Sequence, residues 1–111
     1  TVNDDFIISP TSSFINNNAL TVDLGAGGIS ATDRIQIIPS STAYAELQTN
    51  GYSVTSGSIT LSDARATFTA EASTITLTGA SSAPLTRSAG TFDEGTSTVI
   101  FNGVGTLTLS S

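Results

Sequence analysis

Residues 67 to 79 are repeated, in part letter for letter, 24 positions later. Thr67-Phe68 returns as Thr91-Phe92, Ser73-Thr74 as Ser97-Thr98 and Gly79 as Gly103, while Ile75 is answered by Val99 and Leu77 by Phe101. Five of these thirteen positions are identical. An echo at this distance suggests one supersecondary unit, two short strands with their turns, used more than once.

Within and around the echo the side chains alternate. Ser58-Ile59-Thr60-Leu61-Ser62, Thr74-Ile75-Thr76-Leu77-Thr78, Thr98-Val99-Ile100-Phe101-Asn102 and Thr106-Leu107-Thr108-Leu109-Ser110 share one pattern, with apolar residues second and fourth. In a strand those two point to one face and the hydroxyls to the other, where β-branching favours extended backbone. Ile100 interrupts the hydroxyl row, which predicts a covered outer face at that point. Ser56-Gly57, Gly79 to Pro84, Gly90, Gly95 and Gly103 to Gly105 read as turns.

The first half is strand-rich but does not repeat. Val2 to Ile8 begins polar, becomes strand-like at Phe6-Ile7-Ile8 and stops at Pro10, which places it at an edge or an end. Thr11 to Asn18 has loop composition; Leu20, Val22 and Leu24 alternate with Thr21 and Asp23 as a half-buried strand. Gly25-Ala26-Gly27-Gly28 lacks the third glycine of a dinucleotide loop, since position 30 is Ser30, and no helical pattern follows. It reads as a turn into Ile35 to Ile38. Ser41 to Gln48 fits a short capped helix or a strand, and the alternation of Ala43, Ala45 and Leu47 favours the strand.

One domain spanning 1–111 is expected, all-β. Two architectures fit. A β-sandwich of about seven to nine short strands, of immunoglobulin-like or jelly-roll type, would bury Leu20, Val22, Ile35, Ile37, Ile59, Leu61, Ile75, Leu77, Val99, Phe101, Leu107 and Leu109 between two sheets. A parallel β-solenoid would stack each copy on the last. The missing echo in the first half favours the sandwich, with the solenoid as the alternative.

Composition excludes most chemistry. The 111 residues include 36 Ser and Thr, while charged residues make up 11% and the net charge is −6. With Arg34, Arg65 and Arg87 the only cations, nothing could neutralise a run of phosphates, so nucleic acid is discarded as a partner. No Cys or His is present for zinc, copper, haem or iron–sulfur ligation, and no cofactor is expected. Without His or Lys the serines have no base, and Asp4-Asp5 and Asp93-Glu94 read as solvated turn acids instead of a glycosidase pair. An enzyme is not expected. No apolar run reaches the length of a membrane span, and a chain starting at Thr1 reads as one already freed of a signal peptide.

Calcium, which needs only oxygen ligands, could draw on Asp4, Asp5, Asp23, Asp33, Asp63, Asp93 and Glu94, although no Asp-x-Asp-x-Asp spacing is present. Asp33-Arg34 and Asp63-x-Arg65 read as ion pairs or turn features. Tyr44 and Tyr52 are the only non-Phe aromatics that could stack on a sugar. Thr74, Thr76 and Thr78, with Thr106 and Thr108, form either a solvated sheet face or a regular hydroxyl face of the kind ice-binding β proteins use.

Thr67-Phe68-Thr69-Ala70 to Gly79, and Gly90-Thr91-Phe92 to Phe101-Asn102-Gly103, resemble the Thr/Gly/Ser-rich repeats of large secreted bacterial surface and adhesin-like proteins. The resemblance covers about 40 residues. It implies an extracellular or cell-surface, structural or adhesive role and carries over no catalytic residue. Residues 1–10 read either as the first strand of the chain's own sheet or as a strand arm able to pair with a neighbouring copy, with Val2, Phe6, Ile7 and Ile8 as subunit contacts. The expected function is a subunit of a non-covalent extracellular filament or surface layer, a homopolymer assembled by strand addition. The alternative is a monomeric adhesin-type module that binds a glycan or calcium.

Overall fold

The computed structural model of the chain describes residues 1–10, 19–79 and 83–103. Leu107, Leu109, Thr106 and Thr108, and the loop expected over 11–18, lie outside the described residues. Among these residues ten strands form: β1 Phe6–Ile8, β2 Ala19–Asp23, β3 Ile29–Ile37, β4 Tyr44–Gln48, β5 Val54–Leu61, β6 Ala66–Thr69, β7 Thr74–Leu77, β8 Leu85–Arg87, β9 Thr91–Asp93 and β10 Thr98–Phe101. Among the described residues there is no helix, and Tyr44–Gln48 is a strand as the alternation indicated.

Every ladder is parallel. The strands run in the order β1-β3-β5-β7-β10, with β8 also on β5, and separately β2-β4-β6-β9. The architecture is therefore a parallel β-solenoid of about three turns, and the expected sandwich is corrected to the stated alternative. The long strands β3 and β5 show how it closes. The start of β5 pairs with β7 and its end with β8, so the strand bends around a corner and belongs to two faces. Face A comprises Val2, the first halves of β3 and β5, then β7 and β10; face B comprises β1, the second halves of β3 and β5, then β8; face C comprises β2, β4, β6 and β9. In chain order β3 and β4, then β5 and β6, then β7, β8 and β9 each visit A, B and C.

This arrangement explains the echo. Thr67 lies beside Thr91, Phe68 beside Phe92, Thr74 beside Thr98 and Leu77 beside Phe101, so the 24-residue spacing is the length of one coil. The first half follows the same rule with few shared letters: Ile29 sits beside Val54, Leu20 beside Ala45 and Phe6 beside Ile35. Coil length there varies with the corners, and a column of inward residues needs matched volume, not identity. Val22, Leu47, Phe68 and Phe92 make one such column.

The core runs up the middle. Ile35, Ile37, Leu47, Val54, Ile59, Leu61, Phe68, Ile75 and Leu77 are fully buried, each stabilised by about 1.5–3 kcal/mol from the area removed from water. Leu20, Val22 and Val99 are half-buried against this core. Phe101, expected inside, is 41% exposed; its register neighbour is Leu77 on one side, and no described strand lies on the other. Ile100, expected to be covered, is 43% exposed.

The corner between faces C and A is a four-residue turn used repeatedly. Tyr52 N–H donates to Thr49 O, Ser73 N–H to Ala70 O and Ser97 N–H to Glu94 O, at 2.9–3.0 Å. In a hairpin such a turn would reverse the chain onto its own partner; here it carries the chain to the next face, and the hydrogen-bonded partner is one coil away. Ser56-Gly57, read as a turn, is instead the bend inside β5.

Candidate functional site

The corner between faces A and B brings acids, an arginine and hydroxyls together around one groove. It is built on glycine. A Cβ at Gly57 would collide with the Asp33 carbonyl oxygen, one at Gly79 with the Gly57 carbonyl oxygen, and one at Gly103 with the Gly79 carbonyl oxygen. Backbones stack directly on one another here, and Gly79 N–H donates to Gly57 O at 2.9 Å. With no side chains along that column, a shallow open groove of about 390 Å³ remains, lined by Asp5, Thr32, Asp33, Arg34, Gly57, Ser58 and Gly79.

At its N-terminal end the carboxylates of Asp4, Asp5 and Asp33 approach within 4.8 Å of one another. Arg34 answers part of that charge: its Nε donates to Asp5 Oδ2 at 2.8 Å and its Nη2 lies 2.8 Å from the same oxygen. Asp33-Arg34 is thus not a local pair; the guanidinium reaches back one coil. Of the remaining acids named as calcium candidates, Asp63 Oδ1 accepts from Arg65 N–H at 2.8 Å, Asp93 Oδ1 accepts from Gly95 N–H at 3.3 Å, and Asp23 and Glu94 are exposed elsewhere. Three of the seven converge, and four serve turns or faces.

The residues expected to contact a neighbouring subunit divide by direction. Val2 bridges to Ala31 and is half-buried; Phe6 and Ile8 point inward and pack on this chain's own core; Ile7 points outward and is 46% exposed. The segment is therefore docked as the lowest strand of face B, in register with Ile35 to Ile37. Its outer edge, not its pockets-and-side-chains face, is what another copy would meet. At the opposite end Phe101 closes the column Val2–Ala31–Ser56–Leu77–Phe101, which spans the stack.

Tyr44 lies on face C with the Arg65 guanidinium 5.9 Å from its ring centroid, and Tyr52 stands in the turn after β4. Each is 40% exposed. The outer faces differ in charge. Face C carries Asp23, Glu46 and Asp93, and face B carries Arg34. Face A turns outward Ser30, Thr55 and Thr76 in one column, topped by Ile100, flanked by Ser53, Thr74 and Thr98, with no charged side chain. Sequence reading found the Thr74, Thr76 and Thr78 row but not this wider array; the repeated Ser or Thr just before Val54, Ile75 and Val99 was the available signal.

Comparison with known proteins adds nothing to this geometry: no family model, no curated protein and no solved structure matches the chain.

Proposed function

We propose that the chain is a structural subunit of an extracellular, non-covalent filament or surface layer, in which copies stack end to end by strand addition. The observation that carries this reading is the pair of open strand edges. Among the described residues β1 is paired only with β3, and β10 only with β7, so each end of the bent sheet presents a parallel strand with one edge unpaired. Such edges are templates for another strand. The two ends differ, so joining them is heterologous and continues without closing, which is how an open fibre grows.

Side chains fit the same joint. Val2 of one copy laid beyond Phe101 of the next would continue the column that already runs Val2–Ala31–Ser56–Leu77–Phe101, and would cover the exposed Phe101. With no Lys in the chain, no lysine isopeptide can form, so the joint is main-chain hydrogen bonding plus apolar burial. The absence of a nucleophile–base pair in the sequence supports a scaffold over an enzyme, and the resemblance to secreted repeats supports a cell-surface location.

Electron microscopy and light scattering over a concentration series test the reading. Filaments that disappear in Phe101→Glu, with the β circular-dichroism spectrum intact, are the expected result. A wild-type chain that stays monomeric throughout, or a variant that polymerises equally, overturns it.

A second reading, a monomeric surface module binding calcium, rests on the convergence of Asp4, Asp5 and Asp33. It requires a monomer whose melting temperature rises with Ca²⁺ and whose response is lost in Asp33→Asn.

A further inference from the structure

We propose that the outer side of face A is an ice-binding surface, a rigid array of hydroxyls whose ligand is an ordered water lattice. The proposal does not depend on filament formation; because face A is a side of the stack and not an end, joining copies would only lengthen it.

Four observations meet on this face. The first is spacing. Ser30, Thr55 and Thr76 are direct register neighbours, and Thr74 and Thr98 are another such pair two residues before Thr76 and Ile100. Neighbouring strands repeat at about 4.8 Å and alternate residues of a parallel strand at about 6.6 Å, each within about a tenth of a principal oxygen repeat of hexagonal ice. The second is availability. The hydroxyls of Ser30, Ser53, Thr55, Thr74, Thr76 and Thr98 make no hydrogen bond to any described residue, in contrast to Thr78, which donates to Ser56 O, and Thr69, which donates to Glu46.

The third is rigidity. Val54, Ser56, Ile75 and Leu77, which alternate with the outward residues, are fully buried, and β-branched Thr holds few rotamers. One hydroxyl gains only about 0.5–1.5 kcal/mol on exchanging liquid water for another partner. Many must therefore engage together, which only a preordered lattice permits without a compensating entropy cost.

The fourth is the exclusion of charge. Charged groups hold their own hydration shells, which are costly to strip. An ordinary solvated face intersperses charges; here Asp23, Glu46, Asp93 and Arg34 stand on faces B and C, and Asp33, Glu71 and Glu94 stand at the corners that border face A, outside its hydroxyl columns.

Fluorescently labelled protein is grown into an ice hemisphere from dilute solution, and recrystallisation inhibition is scored in parallel. The double variant Thr55→Lys/Thr76→Lys is compared with Thr67→Lys/Thr91→Lys, which places the same charges on register neighbours of face C. Circular dichroism confirms that both fold. The wild type and the face C variant should enter the ice, and the face A variant should fall by roughly tenfold or more. Exclusion of the wild type from ice, or equal uptake of all three proteins, overturns the proposal. So does adsorption to crystalline cellulose that the face A variant abolishes while no protein enters ice, because the array would then be a glycan platform.

Discussion

Phe68 and Phe92 stand one coil apart with their rings stacked, centroids 5.2 Å apart and planes within 12° of parallel. The separation follows from the strand spacing of about 4.8 Å, so the stack is a product of register and not of chance packing. Phe68 is fully buried and Phe92 half-buried, because Phe92 lies nearer the upper end of its column. Phe68→Ala should lower the unfolding free energy by about 3–5 kcal/mol, against a total of about 5–15 kcal/mol for a domain of this size. Phe92→Ala should cost less than half as much. Urea unfolding followed by circular dichroism gives both values, and equal losses would contradict the stacking order.

Gly79 is fixed by proximity, not by its dihedral angles. A methyl group there meets the Gly57 backbone, which cannot move aside without disturbing the ladder to β5. Gly79→Ala should cost about 1–3 kcal/mol, as over-packing does. Gly25, with nothing within 4 Å of the corresponding position, is the matched control. Gly25→Ala should leave the melting temperature unchanged within about 2 °C.

Glu71 is held at φ 52°, as are Asn50 and Gly95 at the equivalent places of neighbouring turns. A left-handed conformation costs an ordinary L-residue roughly 1–2 kcal/mol, which glycine avoids and asparagine reduces. Glu71→Gly should therefore stabilise the protein by about 1 kcal/mol once glycine's greater unfolded-state entropy is deducted. Gly95→Ala should do the opposite. A thermal melt showing Glu71→Gly to be destabilised would mean that the glutamate side chain, exposed at the corner, holds a contact the backbone argument omits.

The sequence made the elements more legible than their assembly. Ile35, Ile37, Ile59, Leu61, Ile75 and Leu77 were expected inside from alternation alone, and all are buried. Alternation, however, is common to a sandwich and a solenoid. What separates them is the partner of each residue, and only the Thr67–Leu77 echo carried that information. It faded in the first half because Phe6 reaches its partner Ile35 after 29 residues, Leu20 reaches Ala45 after 25 and Val54 reaches Ile75 after 21. Corner loops absorb those differences, so coils stack in space while the letters drift out of phase. The Asp5–Arg34 pair, the glycine column and the uncharged face A were hidden for the same reason: each joins residues from different coils, and its meaning depends on knowing how long each coil is.

Thr49 provides a test of that stacking at a single hydrogen bond. Its side chain is fully buried at the corner between faces C and A, and its hydroxyl donates to the Ala70 carbonyl of the next coil at 2.6 Å. The same residue's N–H donates to Thr69 O at 3.0 Å, so two bonds from one residue tie consecutive coils together. Thr49→Val keeps the shape and the backbone bond but leaves the Ala70 oxygen without this donor. The Ala70 oxygen still accepts from Ser73 N–H, so the expected loss is that of one hydrogen bond, about 0.5–1.5 kcal/mol. Thr49→Ser keeps the hydroxyl and loses one buried methyl group, so it should cost about 1 kcal/mol. Hydrogen exchange localises the effect. In Thr49→Val the amides of Tyr52 and Ser73, which close the two neighbouring turns, should exchange faster, while that of Ile38 on the far corner should keep its protection. Uniform acceleration at all three sites would instead mean that the coils open as one unit and that the corner has no stability of its own.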